Sequence, residues 1–256
     1  MGLAVMSLWW REVLRFVRQR SRLTGALLQP LVFWLLLGGG LQASFRPPGS
    51  AGEGGYLAYF YPGILALVLL FTAIFATIAV VEDRRSGFLQ GVIVAPISRP
   101  TIVLGQACGA TSLAVAQGAL FLALAPLVGL SIGPGRVLAA LAAMTVVAFG
   151  LVNLGLMIAW RMESTQGFHA IMNLVLLPIW FLSGAMFPPD GVAAPLVWVM
   201  QIDPLTYGVA LLRRCVVPEG VTLAGPGVAT SLLVSAAFAV LCHLGAVAVA
   251  RRSSTL

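Results

Sequence analysis

Six long apolar runs, separated by short polar joints, fill most of this 256-residue chain, and no other feature restricts its fold as strongly. A bilayer core needs about 20 consecutive apolar residues to be crossed as a helix, because every backbone amide has to be satisfied inside the segment. The runs fall at 24–41, 56–81, 104–130, 137–160, 167–187 and 228–250. Only 9% of the residues are charged and the mean hydropathy is +1.00, values that exclude an ordinary soluble domain. The runs are continuous rather than alternating, so they are not strands of an outer-membrane barrel. The expected fold is an all-α membrane bundle, a single domain over 1–256 with six transmembrane helices.

Arginines set the expected orientation. Arg11, Arg15, Arg18, Arg20 and Arg22 precede the first run, Arg84, Arg85 and Arg99 lie between the second and third, Arg161 follows the fourth, and Arg251 and Arg252 follow the sixth. The opposite joints hold Arg46, Arg136, Arg213 and Arg214. By the positive-inside rule both termini are cytoplasmic, in a multi-pass protein of the cell membrane. The net charge of +7 then reads as topology and contact with anionic lipid headgroups, and argues against a nucleic-acid partner.

All fifteen basic residues are arginine. Without lysine the chain has no P-loop of the G-x-x-x-x-G-K-[ST] kind and no Schiff-base lysine. If ATP is consumed, another subunit binds it. Cys108, Cys215 and Cys242 show no metal-ligand spacing, so no metal is expected. The leading segment, 3–23, carries Arg11, Arg15, Arg18 and Arg22 on one helical face and Met6, Trp9, Val13 and Val17 on another. It reads as an amphipathic interfacial helix anchored by Trp9 and Trp10, or as a plain positive-inside flank.

The joint at 82–101 opens on charges, contains a short apolar helix candidate and ends on prolines. Phe88, Val92 and Ala95 share a helical face and offer an apolar knob to a partner, although a simple turn between two helices needs none.

Glu82, Gly87, Leu89, Pro96, Ser98 and Arg99 follow a pattern that resembles the loop after the second span in ABC-2 type permeases, the membrane subunits of ATP-binding-cassette exporters. Further on, Ser183, Gly184, Phe187 and Pro188 end an apolar helix, and Asp203, Pro204, Leu205, Tyr207 and Arg213 fit that family's Pro-Leu-x-Tyr, five residues, Arg pattern. The resemblance runs the length of the chain and is greatest to the branch of daunorubicin-resistance permeases. It implies that 82–101 carries a coupling helix seated in an ATPase groove, with Glu82, Asp83, Gly87, Phe88, Gln90, Pro96 and Arg99 at the contact. It implies two permeases with two ATPases, with ATP and Mg bound by the ATPase and no cofactor on this chain. Two residues depart from the pattern: Gln90 stands where many members have glutamate, and Asp203 where asparagine is common.

The fifth joint, 188–227, is too long for a plain turn. Its apolar stretches Ala194–Ile202 and Leu205–Leu212 are too short to span, and read as interfacial or re-entrant helices. The resemblance makes them an external cap that includes Asp203, Pro204, Tyr207 and Arg213. On the fifth run His169, Asn173, Leu176, Trp180, Ser183 and Phe187 share a face, as do Phe60, Ile64, Leu67, Phe71 and Phe75 on the second. In the family these two spans border the central path, so Phe60, Phe71, Phe75, His169, Asn173, Trp180, Ser183 and Phe187 are the candidate path residues. The same stripes serve helix packing equally well.

An aromatic path suits an amphiphilic, drug-like or lipid-like cargo; polysaccharide or lipid-linked saccharide export is the alternative. Gln29, Gln117, Asn153 and His243 add polarity within the runs, but no carboxylate lies deep in one, which disfavours ion coupling. An intramembrane serine protease built on Ser183 and His243 is disfavoured by depth: the two lie about 15 residues apart in depth, or about 22 Å of helix rise.

Overall fold

Helix is the only regular secondary structure among the described residues, which is what a backbone with no water to bond inside a bilayer requires. The computed structural model describes residues 2–41, 55–188, 192–217 and 225–252. In chain order the helices are α1 (Gly2–Arg18), α2 (Arg20–Leu41), α3 (Gly55–Arg85), α4 (Phe88–Val94), α5 (Arg99–Leu122), α6 (Pro134–Ala159), α7 (Thr165–Trp180), α8 (Ala194–Ile202), α9 (Pro204–Val216) and α10 (Val228–Arg252). A π-helical turn, Phe181–Ala185, prolongs α7. Among the described residues six elements are long and apolar enough to cross a membrane: α2, α3, α5, α6, α7 with its extension, and α10. The protein is an all-α membrane protein with six candidate spans. The joint carrying Arg46, and residues 189–191 and 218–224 of the long fifth joint, lie outside the described residues.

Helix α3 is the hub. Its apolar window is 94% buried, against α2, α5, α6, α7 and α9. At about 1.5 Å per residue its 31 residues reach about 46 Å, longer than the roughly 30 Å of hydrocarbon. Its C-terminal turn therefore carries Glu82 and Asp83 past the apolar layer. α10 packs on α6, α9 and α5, and α2 is the least buried of the spans.

Helix ends differ from the apolar runs where hydropathy is silent. The run 104–130 predicts a later and longer third span than α5. Proline at the first turn starts α5 at Arg99, and after Leu122 the still-apolar chain turns through Ala125–Val128 and Gly129, whose φ of 76° closes it. The leading helix stops at Arg18 rather than running on to 23, with Gln19 as the joint to α2.

Two glycines explain how α1 is seated. A Cβ at Gly105 of α5 would lie 2.8 Å from Leu8 Cβ, and one at Gly109 would lie 2.7 Å from Glu12 Cβ. This G-x-x-x-G pair thus brings α1 onto α5 within one subunit. Trp9 Nε1 donates to Ser112 Oγ at 2.9 Å on the same seam.

Candidate functional site

The bundle has two ends with different chemistry. At the α4 end the C-terminal turn of α3 meets α1. Asp83, whose side chain is only 4% exposed, accepts from Arg11 at 2.7 Å and from Arg15 at 2.5 Å, and Arg15 also reaches Glu82 at 2.7 Å. Arg11 completes the set with Glu12 at 2.9 Å. The face of α1 bearing Arg11 and Arg15 is therefore turned inward onto carboxylates, while Leu3, Met6, Trp10 and Val17 are exposed. Arg84 continues the network by donating to the Trp160 and Met162 carbonyls in the joint between α6 and α7.

Gly87, at φ 74°, makes the sharp turn from α3 into α4, a backbone shape that side-chain-bearing residues adopt at a cost. On α4, Leu89 is buried and Val92 packs on the core. Phe88 and Val94 face outward, at 43% and 86% exposure, and Gln90, Gly91 and Pro96 are exposed beside them. The knob expected from Phe88, Val92 and Ala95 is thus formed by Phe88 and Val94 instead. Arg11 also stacks its guanidinium 3.8 Å above the Phe88 ring, so one side chain touches both α3 and α4. Arg99, at the start of α5, is half-buried, and its Nη1 finds no acceptor.

The predicted path residues separate into groups. Phe71, Phe75 and His169 form a chain of ring contacts at 6.5 and 5.7 Å. Phe60 and Trp180 pack at 6.1 Å and are fully buried inside the subunit. Asn173 is exposed, whereas Leu176 and Ser183 lie inward. Phe187 falls beyond the helical turn and is half-buried. The Ser183 hydroxyl donates to the Trp180 carbonyl at 2.7 Å, and His243 Nδ1 lies 2.9 Å from Asn153 Oδ1. Ser183 and His243 line separate cavities and form no nucleophile–base pair.

At the opposite end α8 and α9 meet at a bend of 80°. Asp203 caps α9, its Oδ1 accepting from Leu205 N at 2.8 Å, and Pro204 occupies the first turn. Tyr207 ties α9 back to α8 through the Gln201 carbonyl at 2.9 Å. Burial pushes the Asp203 carboxyl up to about 7, against the lowering effect of its backbone hydrogen bond. Arg213 donates through Nη2 to the Gly184 carbonyl at 2.9 Å and lies 4.4 Å above the Tyr59 ring. Gly184, at φ 73°, kinks the π turn one residue before its end. From α3, Tyr56 donates to the Met186 carbonyl at 3.0 Å, and the Gly63 carbonyl accepts from Trp180 Nε1 at 2.8 Å. The Pro-Leu-x-Tyr, five residues, Arg pattern is thus the set of ties that holds α8 and α9 onto the end of α7. Sequence reasoning named most of these residues; it read Arg11 and Arg15 as part of an interfacial face and missed Tyr56, Tyr59 and Gly63, and the roles of all five depend on partners at least 60 positions away along the chain.

Six candidate spans, a bent helix pair at one end and a charge-braced short helix at the other define a polytopic membrane protein. The chain belongs to the ABC-2 type transporter family, whose sequence pattern matches residues 4–216. It is 28% identical over 207 residues to the transport permease ycf38 of Cyanophora paradoxa, covering 79% of this chain and 70% of that one. To Nodulation protein J of Rhizobium leguminosarum bv. trifolii it is 27% identical over 214 residues, covering 81% and 79%. With Nodulation protein J of Sinorhizobium fredii the identity is 25% over 241 residues, covering 92% and 88%. Membership makes this chain the membrane subunit of an ABC transporter, a class that works with an ATP-binding-cassette ATPase.

Proposed function

We propose that this chain is the permease of an exporter in the cytoplasmic membrane, with both termini and α4 in the cytoplasm and α8 and α9 outside. Two copies work with two ATPases, which bind the ATP and Mg; alternating access between the copies moves an amphiphilic, drug-like or lipid-like cargo out of the cytoplasm or inner leaflet. The observation that carries the reading is α4. It is a seven-residue helix that exposes Phe88 and Val94 and is braced from behind by Arg11. An apolar knob on a rigid base suits insertion into a partner's groove. Residues 82–101 are the coupling segment and 188–227 the external cap in this reading. The aromatic chain Phe71, Phe75 and His169 favours an amphiphile over a bare sugar.

The test is uncoupling. In the reconstituted complex Phe88→Asp with Val94→Asp places charge in the groove, and efflux of an amphiphilic dye is expected to fall by about tenfold or more, as for loss of an apolar anchor, while the permease inserts and melts as the wild type does. Full efflux in the double variant would mean that α4 is a passive connector. Orientation is read separately, on a cysteine-free background, by labelling from outside: a cysteine at Ala193 should react and one at Ser86 should not. The reverse result would turn the molecule over and remove α4 from the ATPase.

A further inference from the structure

The π turn, α8, α9 and the start of α10 enclose a cavity of about 460 Å³ that the helix-tying role of the bent pair does not account for. Arg213 lines it and is itself only 8% exposed. A guanidinium in such a place is costly unless its charge and its N–H groups are matched. Nη2 is engaged by the Gly184 carbonyl, but Nε is buried without an acceptor. The four ion pairs among the described residues all lie at the α4 end, so no described carboxylate pairs with Arg213. Asp203 is the obvious internal candidate, yet it caps the start of α9 whereas Arg213 is in the last turn, about 15 Å of helix rise away.

The charge is not isolated. Arg214 donates to the Pro226 carbonyl at 2.9 Å, and Arg136 to the Val217 carbonyl, so three arginines gather at this end, with main-chain carbonyls and the Tyr59 ring beneath Arg213 as partners but no carboxylate among the described residues. Position in the last turn of α9 explains part of the attraction for Arg213 and Arg214, but not a cavity beside one of them. Gln201, Thr206 and Thr230 add polar groups to the wall. Outside the wall α8 presents Leu196, Trp198, Val199 and Ile202, all exposed. A largely apolar pocket with one cationic wall, at Arg213, thus opens next to an apolar helix surface, with an indole of the kind found at headgroup level.

We propose that this cavity is an oxyanion subsite that takes the phosphate of an anionic phospholipid, with the headgroup against Arg213 and an acyl chain along α8. Charge-assisted bonds from guanidinium to phosphate are the strong member of the hydrogen-bond series, and the low-dielectric wall strengthens them. The binding is an equilibrium property of this chain alone. It holds or fails independently of the cargo, the ATPase and the exporter reading.

The test uses the full-length permease in nanodiscs of equal phosphatidylglycerol and phosphatidylcholine, with retained lipid measured by native mass spectrometry and no nucleotide present. Wild type should retain phosphatidylglycerol with a preference of about tenfold, and Arg213→Gln should cut it to about twofold or less. Ala210→Leu fills the cavity, which Ala210 lines, while leaving the arginine in place, and should abolish the preference even if Arg213→Gln fails to fold. Inorganic phosphate supplies the second arm. If it raises the melting temperature of wild type but of neither variant, and phosphatidylglycerol is not retained, the oxyanion chemistry stands and the source is a free anion. Equal retention in wild type and Ala210→Leu overturns the proposal. So does anion binding that emerges only after Asp190→Asn or Glu219→Gln, two carboxylates outside the described residues, because the chain would then supply its own counter-charge.

Discussion

Replacing Asp83 with asparagine is expected to lower the melting temperature of the permease in detergent by roughly 4–12 °C, the equivalent of about 2–3 kcal/mol at 2–4 °C per kcal/mol for a chain of this size. The carboxylate is almost fully buried and faces two guanidiniums; the neutral amide removes the charge they share and leaves Arg11 with Glu12 and Arg15 with Glu82 as their only ion pairs. Removing one member of a buried set costs more than replacing the whole set. Arg11 and Arg15 are still about one quarter exposed, which keeps the expectation at or just below the lower bound of the range for buried pairs. Because Arg11 also stacks on Phe88, transport in the reconstituted complex should fall more steeply than stability. A double variant, Arg15→Gln with Asp83→Asn, should cost less than the sum of the two single changes, as coupled neighbours do. Strict additivity, or an unchanged melting temperature in the single variant, would reduce the network to surface pairs of no consequence.

Gly63→Val is expected to be the most damaging single change at the other end. Even a Cβ there would meet Ala185 Cβ at 2.7 Å, the Ala185 carbonyl oxygen at 2.8 Å and Ala185 Cα at 2.9 Å. Two of these are main-chain atoms, which cannot rotate aside. The π turn has to move away from α3, and the Trp180 hydrogen bond to the Gly63 carbonyl breaks with it. Overpacking of this kind costs about 1–3 kcal/mol and a lost buried hydrogen bond about 1 more, and efflux should drop with it as the α8 and α9 pair loses its seat. Gly135→Val, at an exposed position where a Cβ meets nothing within 4 Å, is the matched control and should melt and transport as wild type. Equal behaviour of the two variants would show that the end of α7 is not held against α3.

The spans were legible because length and hydropathy alone decide whether a segment can cross a bilayer. The bent pair was legible for the complementary reason: Ala194–Ile202 and Leu205–Leu212 are apolar but too short, and they fall on α8 and α9. Hydropathy reads a polar face but not what answers it, so the arginines of α1 read as facing headgroups, whereas Arg11 and Arg15 face Asp83 and Glu82. The stripe on the fifth span shows the limit of periodicity. At about 100° per residue its members straddle the edge of the packed arc; Leu176 and Trp180 fall inside with Phe168 and Met172, while Asn173 falls outside. Pro126 and Gly129 were present as stop signals within the third run, and an apolar count passes over them. No pattern within a segment pairs Tyr56 with Met186 or Gly63 with Trp180, since those contacts join helices more than 110 positions apart.

Gly105 and Gly109 seat α1 on the helix that begins just after α4, and Arg11 and Arg15 fasten α1 to the helix that ends just before it. Helices α1, α3 and α5 are thus clamped around α4 as a lever, with α4 as its handle. The blade is α1, whose Leu3, Met6 and Trp10 stand in the surroundings rather than in the core. In the proposed exporter, a push on the handle would be passed to that blade. Part of each stroke would then be work against lipid packing, and transport at fixed nucleotide is expected to slow as the membrane is made stiffer.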